Sequence, residues 1–151
     1  MITYRNIVNR FEKFVADHKF IQAFSHGSPS GVDIEKFDSY PLLHLVYTGS
    51  SYTPNEKVYS FEVYILDASQ DKVDKEDFQV EVISDSEQAV EDILSDMRTG
   101  GRVFEFSERY TINGASTTPL ERTGSNMLAG TLLNLSIGVG FNSSSCYAPL
   151  N

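Results

Sequence analysis

Residues 128–141 constrain the fold more than any other stretch of the chain. Ala129, Thr131, Leu133, Leu135, Ile137, Val139 and Phe141 alternate with Asn134, Ser136, Gly138 and Gly140, the two-residue period of a strand with one buried and one open face. A strand of this kind needs a sheet. The pattern then runs into the uncharged stretch from Asn142 to Leu150, where the chain is expected to lie against its own sheet or against a neighbour. Truncation after Phe141 is accordingly expected to impair assembly more than folding.

The rest of the chain supplies the partners. Thr3 is a plausible N-cap, and Tyr4, Ile7, Val8, Phe11, Phe14 and Val15 recur at helical spacing, predicting an amphipathic helix of about four turns. A short strand-like run, Phe20–Ser25, precedes the turn-forming segment His26-Gly27-Ser28-Pro29-Ser30-Gly31; Val32–Tyr40 reads either as one turn of helix or as an extended connection. Leu42–Thr48, apolar on both faces, and Lys57–Leu66 read as central strands joined by a polar loop from Gly49 to Glu56.

Asp67 to Asp77 reads as a solvated acidic loop. It lacks the sixth-position glycine and closing glutamate of a calcium-binding EF-hand loop. Phe78, Val80 and Val82 suggest a brief extended lead-in, and Ser84 with Glu87 forms a capping-box signature for a second helix whose stripe is Val90, Ile93, Leu94 and Met97, stopped at Gly100-Gly101. Arg102–Ile112 resumes a strand pattern, Asn113-Gly114 signals a hairpin, and Ala115–Leu120 is its returning arm, placed at an edge by Pro119. The fold class expected is α+β: a mixed, mainly antiparallel sheet with two helices packed on one face, in a single domain over residues 1–151.

Charge and composition narrow the function. A formal net charge of -9 disfavours binding through neutralised phosphates, although an acidic wall lets DNA slide past without sticking. Cys146 is the sole cysteine, so neither an internal disulfide nor a cysteine-based metal site is available. The three histidines, His18, His26 and His44, are scattered, and no Walker loop, HExxH or GxSxG motif occurs. The expectation is a non-enzymatic protein without catalytic, cofactor-binding or metal-binding residues. No secretory signal or membrane-spanning run is read from the sequence, and a cytosolic setting is the expectation.

Several strings in this order resemble the small bacteriophage structural proteins of the tail-terminator and tail-completion kind. They are the opening amphipathic helix, Tyr40-Pro41-Leu42-Leu43, Tyr59–Asp67 with its acidic loop, the helix from Asp85 to Met97, Ser116-Thr117-Thr118-Pro119-Leu120, and the terminal strand with Cys146 and Pro149. The resemblance covers most of the chain. It implies a ring, commonly sixfold, at the head-proximal end of a phage tail, assembled in the host cytoplasm and ending up in the virion. That ring would terminate the tail tube, join it to neck or connector proteins, and let DNA pass through its lumen without specific binding. Candidate contact residues fall in the loops and the terminus: Tyr52, Asp67, Asp71, Asp74, Glu76, Asp77, Cys146, Tyr147 and Pro149. The competing reading is a small acidic cytosolic binding or adaptor module that meets a basic partner.

Overall fold

The computed structural model describes residues 2–27, 41–68, 75–98, 101–106, 108–123 and 128–141. Thr3 opens the first helix, α1 (Tyr4–Asp17), through a reciprocal cap: its hydroxyl accepts from the Asn6 amide at 3.2 Å while the Asn6 side chain accepts from the Thr3 amide at 2.9 Å. Ile7, Phe11, Phe14 and Val15 form its buried stripe. Strands β1 (Ala23–His26), β2 (Leu42–Tyr52) and β3 (Glu56–Ala68) follow, then helix α2 (Lys75–Arg98) and strands β4 (Tyr110–Thr123) and β5 (Leu128–Gly140).

These elements form the expected α+β arrangement. The strand order is β1-β2-β3-β5-β4, with β1 parallel to β2 and every other pairing antiparallel. The alternating terminal strand is β5, and it lies inside the sheet between β3 and β4. Its odd positions continue rows of apolar residues across the sheet: Leu43 opposite Ile65, Leu45 opposite Val63 and then Leu133, Phe61 opposite Leu135, Tyr59 opposite Ile137. Both helices cover that face. Ile7, Phe11 and Phe14 of α1 and Ala89, Val90, Ile93 and Met97 of α2 join these rows in one hydrophobic cluster, each large side chain contributing about 1.5–3 kcal/mol by leaving water. Phe11 is its hinge, edge-on to Phe104 at 4.9 Å between ring centres and tilted against Phe61 at 6.5 Å.

Two polar ties fix the layers. Ser86 of α2 and Thr131 of β5, both buried, share a 2.7 Å hydroxyl bond, and His18 joins the end of α1 to Asp92 of α2 at 2.8 Å. The His18 Nδ1 accepts from the amides of Phe20 and Ile21 at 3.2 and 3.4 Å, so the proton lies on Nε2 and is donated to Asp92. Gly130 is one place in the sheet interior where glycine is required. At Gly130 (φ +158°) a Cβ would sit 1.8 Å from the Ile65 carbonyl oxygen.

The structure corrects six expectations. The loop assigned to Gly49–Glu56 shrinks to residues 53–55, because β2 continues to Tyr52 past a bulge that leaves Thr48 without an opposite residue. Asp67 belongs to β3, opposite Ala129, while Glu76 and Asp77 lie in the first turn of α2. Phe78–Val82 is helical, and Ser84 lies within the helix. Buried Val82, Ser86, Ala89, Val90, Ile93 and Met97 recur at helical spacing, and that packing overrides the strand tendency of valine.

The described residues of 102–109 do not join the sheet. The Asp96 carboxylate accepts from the amides of Arg102, Val103 and Phe104 at 3.0, 3.2 and 2.8 Å, and Gly101 turns there with φ +57°. Asn113-Gly114 is a bulge inside one continuous strand, β4, and not a hairpin turn. Pro119 does lie on an edge strand. The expectations for Val32–Tyr40, for Asp71 and Asp74, and for Asn142–Leu150 with Cys146, Tyr147 and Pro149 lie outside the described residues.

Candidate assembly surface

From Tyr110 to Leu120 the sequence of β4 holds no charged residue, and β4 ends the sheet with a neighbour on one side only among the described residues. Thr111 and Asn113–Pro119 are exposed. An outer strand of this length usually carries lysines or charges that discourage a second chain from pairing with it. Beyond Leu120 come a second irregularity in register and the charged pair Glu121-Arg122; before it the deterrents are the bulge at Asn113 and the missing amide of Pro119. The residues between them form an open window.

That window is rigidly held. Thr117 donates to Glu87 of α2 at 3.1 Å. At the other end the Asn113 side chain folds over Gly138 of β5, accepts from the Thr111 hydroxyl at 2.7 Å and donates to Glu56 of β3 at 3.1 Å. A Cβ on Gly138 would approach Asn113 Oδ1 to 2.8 Å, so the bulge and the glycine fit each other. Tyr110, where the strand begins, donates to the carbonyls of Phe104 and Met97 at 2.6 and 3.2 Å. Burial, helped by the nearby Asp96 charge, pushes its phenol up to about 12.

The face of the sheet away from the helices carries Glu56, Glu62, Tyr64, Asn134, Ser136, Ser116 and Thr118. Among the described strand residues of that face there is no lysine or arginine. Tyr64 donates to Glu62 at 2.5 Å, and burial together with that carboxylate pushes its phenol up to about 12. The same face is closed at one end, where Leu42, His44, Val46 and Leu66 are buried.

Of the candidate contact residues, Tyr52 is 56% exposed at the corner of the sheet. Its ring meets Phe141 edge-on at 5.1 Å, and the Lys57 ammonium lies over it at 5.1 Å and over Tyr59 at 4.3 Å. Hydrogen bonding to Lys57 and Ser50 lowers the Tyr52 phenol. Burial alone would pull the Lys57 ammonium down, but its bonds to Tyr52 and Tyr59 outweigh this and hold it above its usual value. Asp67, on the helix-covered side of β3, is far along the sheet from Tyr52, so the structure does not bring the two together. The edge window escaped the sequence reading because Asn113-Gly114 carries the same signature as a turn.

The histidines do not converge. His18 is bound to Asp92, and exposed His26 lies against Phe24. His44 is buried, its Nδ1 sharing a 2.6 Å bond with the hydroxyl of Ser25, its neighbour on β1. A serine beside a histidine invites a nucleophile–base reading. The cross-strand register accounts for the pair more simply, as a sheet histidine satisfied by the residue opposite. Among the described residues no three His, Cys, Asp or Glu side chains gather as a metal site, and no helix is long and apolar enough to cross a membrane. No protein-family model and no curated protein matches the chain.

Proposed function

We propose that the chain is a non-enzymatic phage virion subunit that forms a ring, commonly sixfold, at the head–tail junction. There it ends the tail tube and joins it to the neck. The observation that carries this reading is the long, exposed, uncharged edge of β4: a chain of net charge -9 repels its copies except where the contacting stretch is neutral. A patch that meets a different patch on the next copy closes into a ring when the rotation permits. The helix-free face also supports the reading. Its described strand residues include Glu56 and Glu62 without any lysine or arginine, a surface past which DNA moves without adhering.

Sedimentation velocity and negative-stain imaging at tens of micromolar, with and without a tail-tube protein, test this. Closed rings that cap tube ends are expected, and a chain that stays monomeric in both conditions overturns it. A second reading, an acidic module that captures a basic partner, is favoured by α2, whose outward residues include Glu81, Asp85, Glu87, Glu91 and Asp92. Recovery of one basic host protein, lost on adding salt, with no virion component, would select it.

A further inference from the structure

We infer that the open window of β4 receives β1 of a second copy, antiparallel, with Phe24 opposite Thr117 and His26 opposite Ala115. This rests on the ring reading above and specifies its contact. The Phe141 amide donates to the Asn55 carbonyl at 3.0 Å, so odd-numbered residues of β5 direct their backbone groups at β3 and even-numbered ones at β4. Ala115, Thr117 and Pro119 lie opposite the odd residues Leu135, Leu133 and Thr131, and their backbone groups therefore point away from the sheet. That is also the only side on which a proline in a strand is tolerated.

On the other edge, the Gly27 and Ala23 amides donate to Leu45 and Pro41 at 3.1 and 3.3 Å. In a parallel pair this commits Ala23, Ser25 and Gly27 to β2 and leaves Phe24 and His26 facing out. Among the described residues, both outer edges thus present backbone groups without a strand partner, from residues whose side chains lie on the helix-covered face. Tracing the sheet, β1 and β2 run one way, β3 the other, β5 back and β4 opposite to β1. A cyclic neighbour keeps strand direction, so β4 meets the next β1 antiparallel.

Pro119 selects the register. Pairing Phe24 with Thr117 and His26 with Ala115 gives every outward amide an acceptor, whereas a shift by two residues toward Pro119 forfeits a donor. Length agrees as well, since residues 22–27 extend roughly 20 Å and the window between the bulge and Pro119 holds a similar run. Neither outer strand carries an acidic residue between Ala23 and His26 or between Tyr110 and Leu120. The pairing also brings His26 to the side on which Glu87 holds Thr117, a favourable polar neighbour.

Paired cysteines in a Cys146→Ser background test the inference. Chains bearing His26→Cys and Ala115→Cys separately are mixed and oxidised, and a disulfide-linked dimer is expected only in the mixture, with a ladder of higher species from the double variant. Ala115→Pro, which removes one outward donor, is expected to shift at least tenfold more chain to monomer while its circular dichroism stays native. A dimer from Ala115→Cys alone indicates β4 pairing with itself and overturns the inference. So does a ring that forms without the mixed crosslink, which leaves the ring reading intact. A monomer under all conditions overturns both.

Discussion

Asn113 reaches across β5 to Glu56, its Nδ2 donating to the Glu56 Oε1 at 3.1 Å, and residue 138 between them is a glycine, whose missing Cβ leaves room for the Asn113 side chain. The bulge, the glycine and the carboxylate make one unit. Gly138→Ala is expected to lower stability by about 1–3 kcal/mol, the usual cost of forcing an atom into a filled site. Adding Asn113→Gly should recover part of it. Urea unfolding at constant m-value measures both.

The buried Ser86–Thr131 bond ties α2 to the central strand. Ser86→Ala or Thr131→Val alone leaves one buried hydroxyl unpaired and is expected to cost about 1–3 kcal/mol. The double variant should cost less than the sum, and the shortfall in a double-mutant cycle reports the coupling.

Ser25 and His44 distinguish structural from chemical use of a serine–histidine pair. Ser25→Ala is expected to cost about 1–2 kcal/mol by leaving an imidazole nitrogen unsatisfied. A fluorophosphonate probe should leave the native chain unlabelled. Stoichiometric labelling at Ser25 would sink the non-enzymatic reading.

Alkaline pH should loosen the start of β4. The Tyr110 phenol, normally near 10.0, is pushed up to about 12 in the fold, so its contribution is fully present below pH 10 and is lost as pH rises through about 12. Tyr64 behaves in the same direction. Tyr110→Phe should therefore be less stable at neutral pH, having lost its bonds to Phe104 and Met97. Its melting temperature should also fall less steeply between pH 10 and 12. Tyr64→Phe with Tyr110→Phe should flatten that slope further.

Where burial alone sets the pattern, the sequence was legible. The odd residues of β5 and the stripe of α1 are buried as their spacing requires, and the fold class and the edge position of Pro119 follow. Two of the misreadings share a cause: a contact outside the local repeat decides where the backbone goes. Asp96 takes three amides that would otherwise have joined the sheet, and Gly138 admits an Asn113 that otherwise turns the chain. For α2, the decisive signal was the spacing of Val82 and Ser86 against Ala89 and Ile93, which a capping-box match at Ser84 obscured. The proposed contact surface was legible only in part, because it depends on which backbone groups point outward, and that is a property of register.

The register of β3 with β5 runs through thirteen successive pairs, from Glu56 with Gly140 to Ala68 with Leu128, yet these strands are separated in sequence by α2 and β4. The β2–β3 hairpin closes over a tight turn and forms early, at small entropic cost. The middle of the sheet must wait for the most distant strand. Closing that long-range pairing is expected to dominate the folding time, and until it occurs the inner edge of β3 stays open to the wrong partner.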